Sequence, residues 1–217
     1  MDHKNIIDRT VEFVKSKLSQ TEGGHDWWHI YRVWKTANTI AENEDCDIFV
    51  VNLAALLHDI ADSKFHDGNE DIGPRIAEDY LRSLNVELKT INSIVHIIRN
   101  MSFKNTFDNV TNESIEMNIV RDADRLDAIG AIGIARTFNY GGFKGSEIFN
   151  PDIPPVEYKT KEEYKNSKST TINHFYEKLL KLKDLMKTDT GKMMANQRHS
   201  YMLQYLDQFY AEWNGTK

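Results

Sequence analysis

The stretch IFVVNLAALLHDIA, residues 48–61, decides the fold because it is apolar on almost every side. A helix without a polar face must be surrounded by other elements, so the stretch predicts a central, buried helix. Asp47 stands directly before it and is predicted to be its N-cap. Near its C-terminal end the stretch contains His58 and Asp59, two polar side chains that are costly to bury unless other groups pair with them.

Helical periodicity continues on both sides of this segment, since apolar residues recur every three or four positions. The run RDADRLDAIGAIGIAR is also interpreted as a helix, with a second half softened by glycine. Alternation typical of β strands is absent from the sequence, so we predict an all-α fold in one domain over residues 1–217. Apolar faces with helical spacing lie within residues 7–18, 30–40, 72–84, 88–98 and 115–136, on either side of the run 48–61. Two further helical patterns cover roughly residues 169–187 and 192–213.

Residues 139–168 differ from the rest of the chain. They contain three glycines and three prolines, followed by a run of charged and polar residues. This composition is typical of a long surface loop, and a lid is one possible role for it. We therefore predict a core over about residues 20–140, a loop or lid over 139–168, and C-terminal helices over 169–213.

Charge and cysteine content exclude several classes of function. The chain has 27 Lys+Arg against 33 Asp+Glu, and a net charge of −6 disfavours binding along a nucleic-acid backbone or an anionic membrane. Cys46 is the only cysteine, which excludes an internal disulfide framework and fits a reducing compartment. No apolar run approaches the roughly 18 residues of a membrane span. We expect a cytoplasmic protein.

Four polar residues suit a metal ion. His29 lies on one predicted helix, His58 and Asp59 end the apolar one, and Asp124 lies in the run DADRLDA. Two imidazoles and two carboxylates form a mixed nitrogen and oxygen set that binds divalent Mn, Fe, Co, Ni or Zn. The alternative is a buried structural hydrogen-bond network. Because the four are far apart in sequence, only the fold can assemble them.

The order His29, His58-Asp59, Asp124 resembles the signature of the HD-domain superfamily of metal-dependent phosphohydrolases, whose fold is an all-α helical bundle. The resemblance covers about residues 20–140. The stretches HDIADSKFHD and DADRLDAIGAIGIAR are similar to a small bacterial branch of single-domain HD hydrolases. Some members of that branch are similar to nucleoside triphosphate pyrophosphohydrolases.

The resemblance implies that His29, His58, Asp59 and Asp124 are the metal ligands. Manganese is the preferred ion, with Ni, Co, Fe or Zn as alternatives. The resemblance also implies that Asp62 and Asp67 position or deprotonate the attacking water. The alternative for this pair is a turn at a helix end followed by an Asp-Gly turn.

Phosphoryl transfer needs cations or donors that meet the charge on the phosphate oxygens. The candidate substrate-binding residues are Lys64, His96, Arg99, Lys104 and Arg125. The alternative role for His96 is that of a hydrogen-bonded histidine in the core, and for the other four it is a surface position or a salt bridge.

The function implied by the resemblance is hydrolysis of a nucleoside or deoxynucleoside triphosphate to a monophosphate and pyrophosphate. A 5′-nucleotidase, a phosphodiesterase and a non-catalytic nucleotide-sensing HD module are the alternatives. Loss of metal ligands would mark the sensing module, and all four candidate positions are filled here. We expect a small-molecule nucleotide as the partner, with no nucleic-acid polymer and no membrane, and leave the oligomeric state open.

Overall fold

A computed structural model of the protein describes residues 2–18, 26–61, 71–101, 113–157 and 169–217. Within these ranges the regular structure is helical and contains no strand, which confirms the all-α prediction. None of the described helices is long and apolar enough to cross a lipid bilayer. The helices are α1 (His3–Leu18), α2 (Trp27–Ala41), α3 (Ile48–Leu57), α4 (Ile72–Ser83), α5 (Leu88–Asn100), α6 (Ile115–Asp127), α7 (Gly130–Lys144), α8 (Asn173–Glu177), a 3₁₀ helix (Leu179–Leu185) and α9 (Asp189–Trp213).

The chain divides into two compact units, Met1–Asp124 and Arg125–Lys217. In the first unit α3 is the central element, because α1, α2 and α5 all pack against it. Residues 49–57 are buried without exception. Asp47 caps this helix as predicted, since its side chain accepts hydrogen bonds from the backbone N–H groups of Phe49 and Val50.

The apolar helix ends earlier than its sequence predicts. Helix α3 stops at Leu57 instead of continuing to residue 61. His58 is its C-cap residue, and the ring Nδ1 of His58 lies 2.9 Å from the carbonyl oxygen of Ala55 in the last turn. This side-chain bond satisfies a carbonyl group that a longer helix would have paired with a backbone N–H. His58 and Asp59 therefore stand in a turn at the helix end.

The run 121–136 is helical as predicted, and it is divided between two helices near its glycine-containing half. Helix α6 ends at Asp127, and Gly130 starts α7 with a φ of +75°, a left-handed conformation that favours glycine. A Cβ atom at Gly130 would lie 2.9 Å from Cγ of Arg198. Glycine is needed at this position both for its backbone conformation and for the close approach of Arg198.

The C-terminal end of α6 is held by two arginines of the second unit. Arg198 donates to the carbonyl oxygen of Leu126, and Arg136 donates to the carbonyl and carboxylate oxygens of Asp127. Two cations thus meet the negative end of the helix dipole and the orphan carbonyls of its last turn. The carboxylate of Asp127 is buried, and its partner Arg136 lies in the second turn of α7.

The predicted loop over 139–168 begins too early. Helix α7 passes through Gly141 and runs to Lys144, and its C-cap is Gly145 with a φ of +66°. At Gly141 a Cβ atom would clash with the side chain of Thr171, so glycine fits this position in the helix. Residues 145–157 have no regular structure, and 158–168 lie outside the described residues. The predicted helix over 169–187 is instead divided between α8 and the 3₁₀ helix.

His174, on α8, should make the free energy of unfolding depend on pH. Burial and, to a smaller extent, the charge of the nearby Lys178 together lower the pKa of His174 from 6.5 to about 4. The ring is therefore neutral in the folded protein, whereas the unfolded chain binds a proton below pH 6.5. As the pH falls from 7 to 4, this group should remove up to about 3 kcal/mol from the free energy of unfolding.

Urea unfolding of wild type and His174→Gln across this pH range measures the effect. The variant should lose less stability on acidification than the wild type, and His96→Gln, at an exposed site on α5, is the matched histidine control. Equal pH slopes in wild type and His174→Gln would contradict the prediction.

Candidate metal centre

The first imidazole is fixed by the start of α2. Asp26 is the N-cap of this helix, and its side chain accepts a hydrogen bond of 2.9 Å from the backbone N–H of His29. The ring of His29 is almost completely buried, with 1% of the residue exposed. Sequence reasoning missed Asp26, although an aspartate just before an apolar helical face is a typical N-cap signal.

The second imidazole is fixed by the end of α3. The Nδ1 atom of His58 lies 2.9 Å from the carbonyl oxygen of Ala55, and a carbonyl can only accept, so Nδ1 carries the hydrogen. In the neutral ring with this tautomer, the lone pair is on Nε2. This nitrogen is buried and has no hydrogen-bond partner in the described part of the chain. A bonded Nδ1–H and a buried Nε2 lone pair are what a metal-binding histidine requires.

Both carboxylates lie close to both imidazoles. The Nε2 atom of His29 is 3.6 Å from Oδ2 of Asp59 and 3.5 Å from Oδ1 of Asp124. The Nε2 atom of His58 is 3.8 Å and 3.9 Å from the same two oxygens. The ring centroids of the histidines are 5.4 Å apart. All four residues belong to the unit Met1–Asp124.

These distances fit metal ligands better than a hydrogen-bond network. They exceed the roughly 3.2 Å limit of a good N–H···O bond. Two ligand atoms that are each about 2.1 Å from a tetrahedrally coordinated ion lie about 3.4 Å apart, close to the observed values. His29, His58 and Asp59 each offer one ligand atom, and these three atoms all lie within 4.8 Å of one another. The residues present fit a divalent ion.

Burial makes the centre asymmetric. The histidine side chains are each 2% exposed, whereas those of Asp59 and Asp124 are 30% and 38% exposed. The imidazoles thus form the floor of the site and the carboxylates form its solvent-facing side. Catalytic metal sites differ from structural ones in leaving a coordination position open to water or substrate. The exposed carboxylate side is where such a position can lie.

The other candidate residues have individual environments. His96 is exposed on α5, with Nδ2 of Asn100 3.4 Å from its Nδ1, so it is not a core histidine. Arg99 lies 3.7 Å from a carboxylate oxygen of Asp71. Arg125, in the second unit, is 9% exposed and donates to the carbonyl oxygen of Leu185. Their binding of substrate stays a prediction. Outside the described residues lie Asp62, Lys64, Asp67 and Lys104.

Comparison with known proteins identifies the class to which this centre belongs. The HD domain family matches residues 27–129. A solved HD-superfamily hydrolase from Bacillus thuringiensis is 45% identical, with a TM-score of 0.80 over 98% of this chain and 99% of that one. A solved protein from Lactobacillus plantarum is 38% identical, with a TM-score of 0.80 over 99% and 100% of the two chains.

A third relative is YpgQ of Bacillus subtilis. It is 38% identical over 200 residues, which cover 90% of this chain and 88% of YpgQ. Its structure in complex with ADP has a TM-score of 0.78 over 98% of this chain and 97% of that one. The chain therefore belongs to the HD-domain family of metal-dependent phosphohydrolases, and it is a hydrolase.

Replacing Asp59 with alanine should remove metal from an otherwise folded protein. The change deletes one ligand and one of the two negative charges that balance a divalent ion, so the affinity for Mn²⁺ should fall by about 100-fold or more. Metal content after dialysis, calorimetric titration with Mn²⁺ and circular dichroism measure metal binding and fold separately.

Asp79→Ala is the matched control because Asp79 is an exposed aspartate on α4. This variant should keep the metal affinity of the wild type. Full metal occupancy in Asp59→Ala would show that the centre is assigned to the wrong residues.

Proposed function

We propose that the protein is a nucleotide hydrolase that converts a nucleoside or deoxynucleoside triphosphate to the monophosphate and pyrophosphate. We further propose that it uses a divalent transition metal, with Mn²⁺ preferred over Ni²⁺, Co²⁺, Fe²⁺ and Zn²⁺, and that it acts in the cytoplasm. The observation that carries the nucleotide assignment is the ADP complex of YpgQ, a relative that is 36% identical and aligns over 98% of this chain.

The ligand set supports hydrolysis of a phosphate ester or anhydride. His29, His58, Asp59 and Asp124 would hold the ion, which when bound lowers the pKa of a coordinated water and polarises a phosphoryl oxygen. The two buried imidazoles fix the position of the centre, and the two carboxylates neutralise the charge of a divalent ion. A neutral centre does not repel a polyphosphate, yet it supplies little attraction of its own in a chain with a net charge of −6.

Additional cations are therefore needed to bind a triphosphate. Lys64 is the first candidate, because it follows His58 and Asp59 closely in sequence. Lys104, Arg99 and Arg125 are further candidates, with His96 as a hydrogen-bond donor. Guanidinium and ammonium groups meet the charge that develops on non-bridging phosphate oxygens.

Asp62 and Asp67 are the proposed proton acceptors. One of these carboxylates takes a proton from the attacking water while the water oxygen bonds to the α-phosphorus. The bond between the α-phosphorus and the bridging oxygen to the β-phosphorus breaks, and pyrophosphate leaves with that oxygen. The products are a monophosphate and pyrophosphate, and no other reactant than water is consumed.

A substrate panel with metal-stripped protein tests the proposal. Ribo- and deoxyribonucleoside triphosphates, monophosphates and cyclic nucleotides are each incubated with Mn²⁺, Ni²⁺, Co²⁺ or Mg²⁺ and followed by phosphorus NMR. We expect pyrophosphate and a monophosphate to appear together, only with metal and only while Asp59 is intact.

The same spectra separate the alternatives. Orthophosphate released from monophosphates would indicate a 5′-nucleotidase, and opening of cyclic nucleotides would indicate a phosphodiesterase. Nucleotide binding without turnover by the metal-loaded protein would indicate a sensing module.

Lys64→Ala tests the predicted phosphate contact. Loss of one charge-assisted hydrogen bond should raise KM for the triphosphate about tenfold or more, while metal content stays that of the wild type. Lys4→Ala, at an exposed lysine on α1, is the control and should leave KM unchanged. Loss of metal from Lys64→Ala would instead assign Lys64 to support of the metal centre.

A further inference from the structure

The apolar residues of helix α3 do not by themselves determine its register against the neighbouring helices. Residues 49–57 are all buried, so the helix has no exposed face that would fix its rotation within the core. Sliding α3 by one residue would exchange one apolar side chain for another at each packing position. Such a slide moves every side chain by about 1.5 Å along the axis and about 100° around it.

One polar side chain interrupts this apolar helix. Asn52 is 6% exposed, and its Nδ2 donates to the carbonyl oxygen of Ile48 at 2.7 Å. Its Oδ1 accepts from Nε1 of Trp34 at 2.5 Å and from Nδ2 of Asn38 at 3.2 Å. Asn38 also donates to the backbone carbonyl of Trp34 at 2.8 Å, which fixes its amide group. Both side-chain partners of Asn52 belong to α2.

The network joins the two helices that supply the imidazoles. Trp34 is five residues after His29, about 7.5 Å along α2, and Asn52 is six residues before His58, about 9 Å along α3 and its cap. The distance from the Asn52 bond to His29 along α2 is thus nearly equal to its distance to His58 along α3, as expected for two helices that pack antiparallel. A bond made at the middle of the helix pair therefore sets the distance between the rings at its end.

We propose that Asn52 is a positioning residue for the metal centre, because its bonds to Trp34 and Asn38 select the one register of α3 on α2 that brings His29 and His58 together. A buried amide is costly unless it is fully bonded, and only this register bonds it. The apolar surface of α3 supplies stability in many registers, and Asn52 makes one of them unique. The inference rests on the metal centre described above.

The test compares Asn52→Leu with wild type in Co²⁺ binding. Leucine keeps α3 apolar and removes both bonds to α2, so the folded variant should bind Co²⁺ about 10-fold or more weakly. Its visible Co²⁺ spectrum should also change in intensity, because that spectrum reports the number and arrangement of ligands. Circular dichroism verifies the helical fold at the temperature of measurement.

Trp34→Phe is the second variant. It keeps an aromatic ring on α2 but has no Nε1–H to donate, and it should shift Co²⁺ affinity and spectrum in the same direction. It decides the question if Asn52→Leu does not fold.

Thr10→Val is the matched control for loss of a buried hydrogen bond. Thr10 is fully buried on α1, and its Oγ1 donates to the carbonyl oxygen of Ile6 at 2.7 Å. This variant should melt at a lower temperature than wild type and keep its Co²⁺ affinity and spectrum. If the Asn52 and Trp34 variants behave in the same way, Asn52 is merely structural and the inference is overturned. Failure of the wild type to bind any Co²⁺ would overturn the metal centre as well.

Discussion

Burial of two imidazole rings at one point is the constraint on which the rest of the first unit depends. A buried ring nitrogen with a lone pair needs a partner. Nε2 of His58 has no hydrogen-bond partner in the described part of the chain, so an ion at the centre would be its partner. The surrounding structure makes this arrangement possible. Asp26 starts α2 at the position that buries His29, and the carbonyl of Ala55 fixes the tautomer of His58. The apolar bulk of α3 provides the free energy that offsets the cost of enclosing two polar rings.

Much of this centre could be predicted from sequence because its signals are residue types and their order along the chain. The apolar run from Ile48 and the capping residue Asp47 identify α3 without any knowledge of its neighbours. The order of His29, His58, Asp59 and Asp124 is also visible in the sequence, and the fold brings these four side chains within 4 Å of one another in histidine–aspartate pairs. The resemblance of this order to the HD-domain signature predicted the class of protein, and the family match over residues 27–129 confirms it.

Other features could not be predicted because they depend on contacts between distant residues. The end of α6 depends on Gly130, whose left-handed conformation accommodates Arg198, and these residues are far apart in sequence. The role of Asn52 depends on which residue of α2 faces it, and periodicity assigns only a face of a helix. The early end of α3 depends on a bond from the side chain of His58 back to Ala55, which competes with continuation of the helix.

The unequal exposure of the four predicted ligands has a consequence for exchange of an ion at the centre. The two histidine side chains are almost completely buried, so of the four residues Asp59 and Asp124 are the ones that can offer a coordinating atom to an arriving ion. Carboxylates are hard oxygen ligands that suit ions such as Mg, Ca and Mn, whereas imidazoles suit Zn, Cu, Fe and Ni. An ion would then enter and leave the centre on the side of the two carboxylates, while the buried imidazoles would keep their positions when no ion is bound. Such a centre would take up an ion according to the supply of divalent ions around it, after the chain has folded.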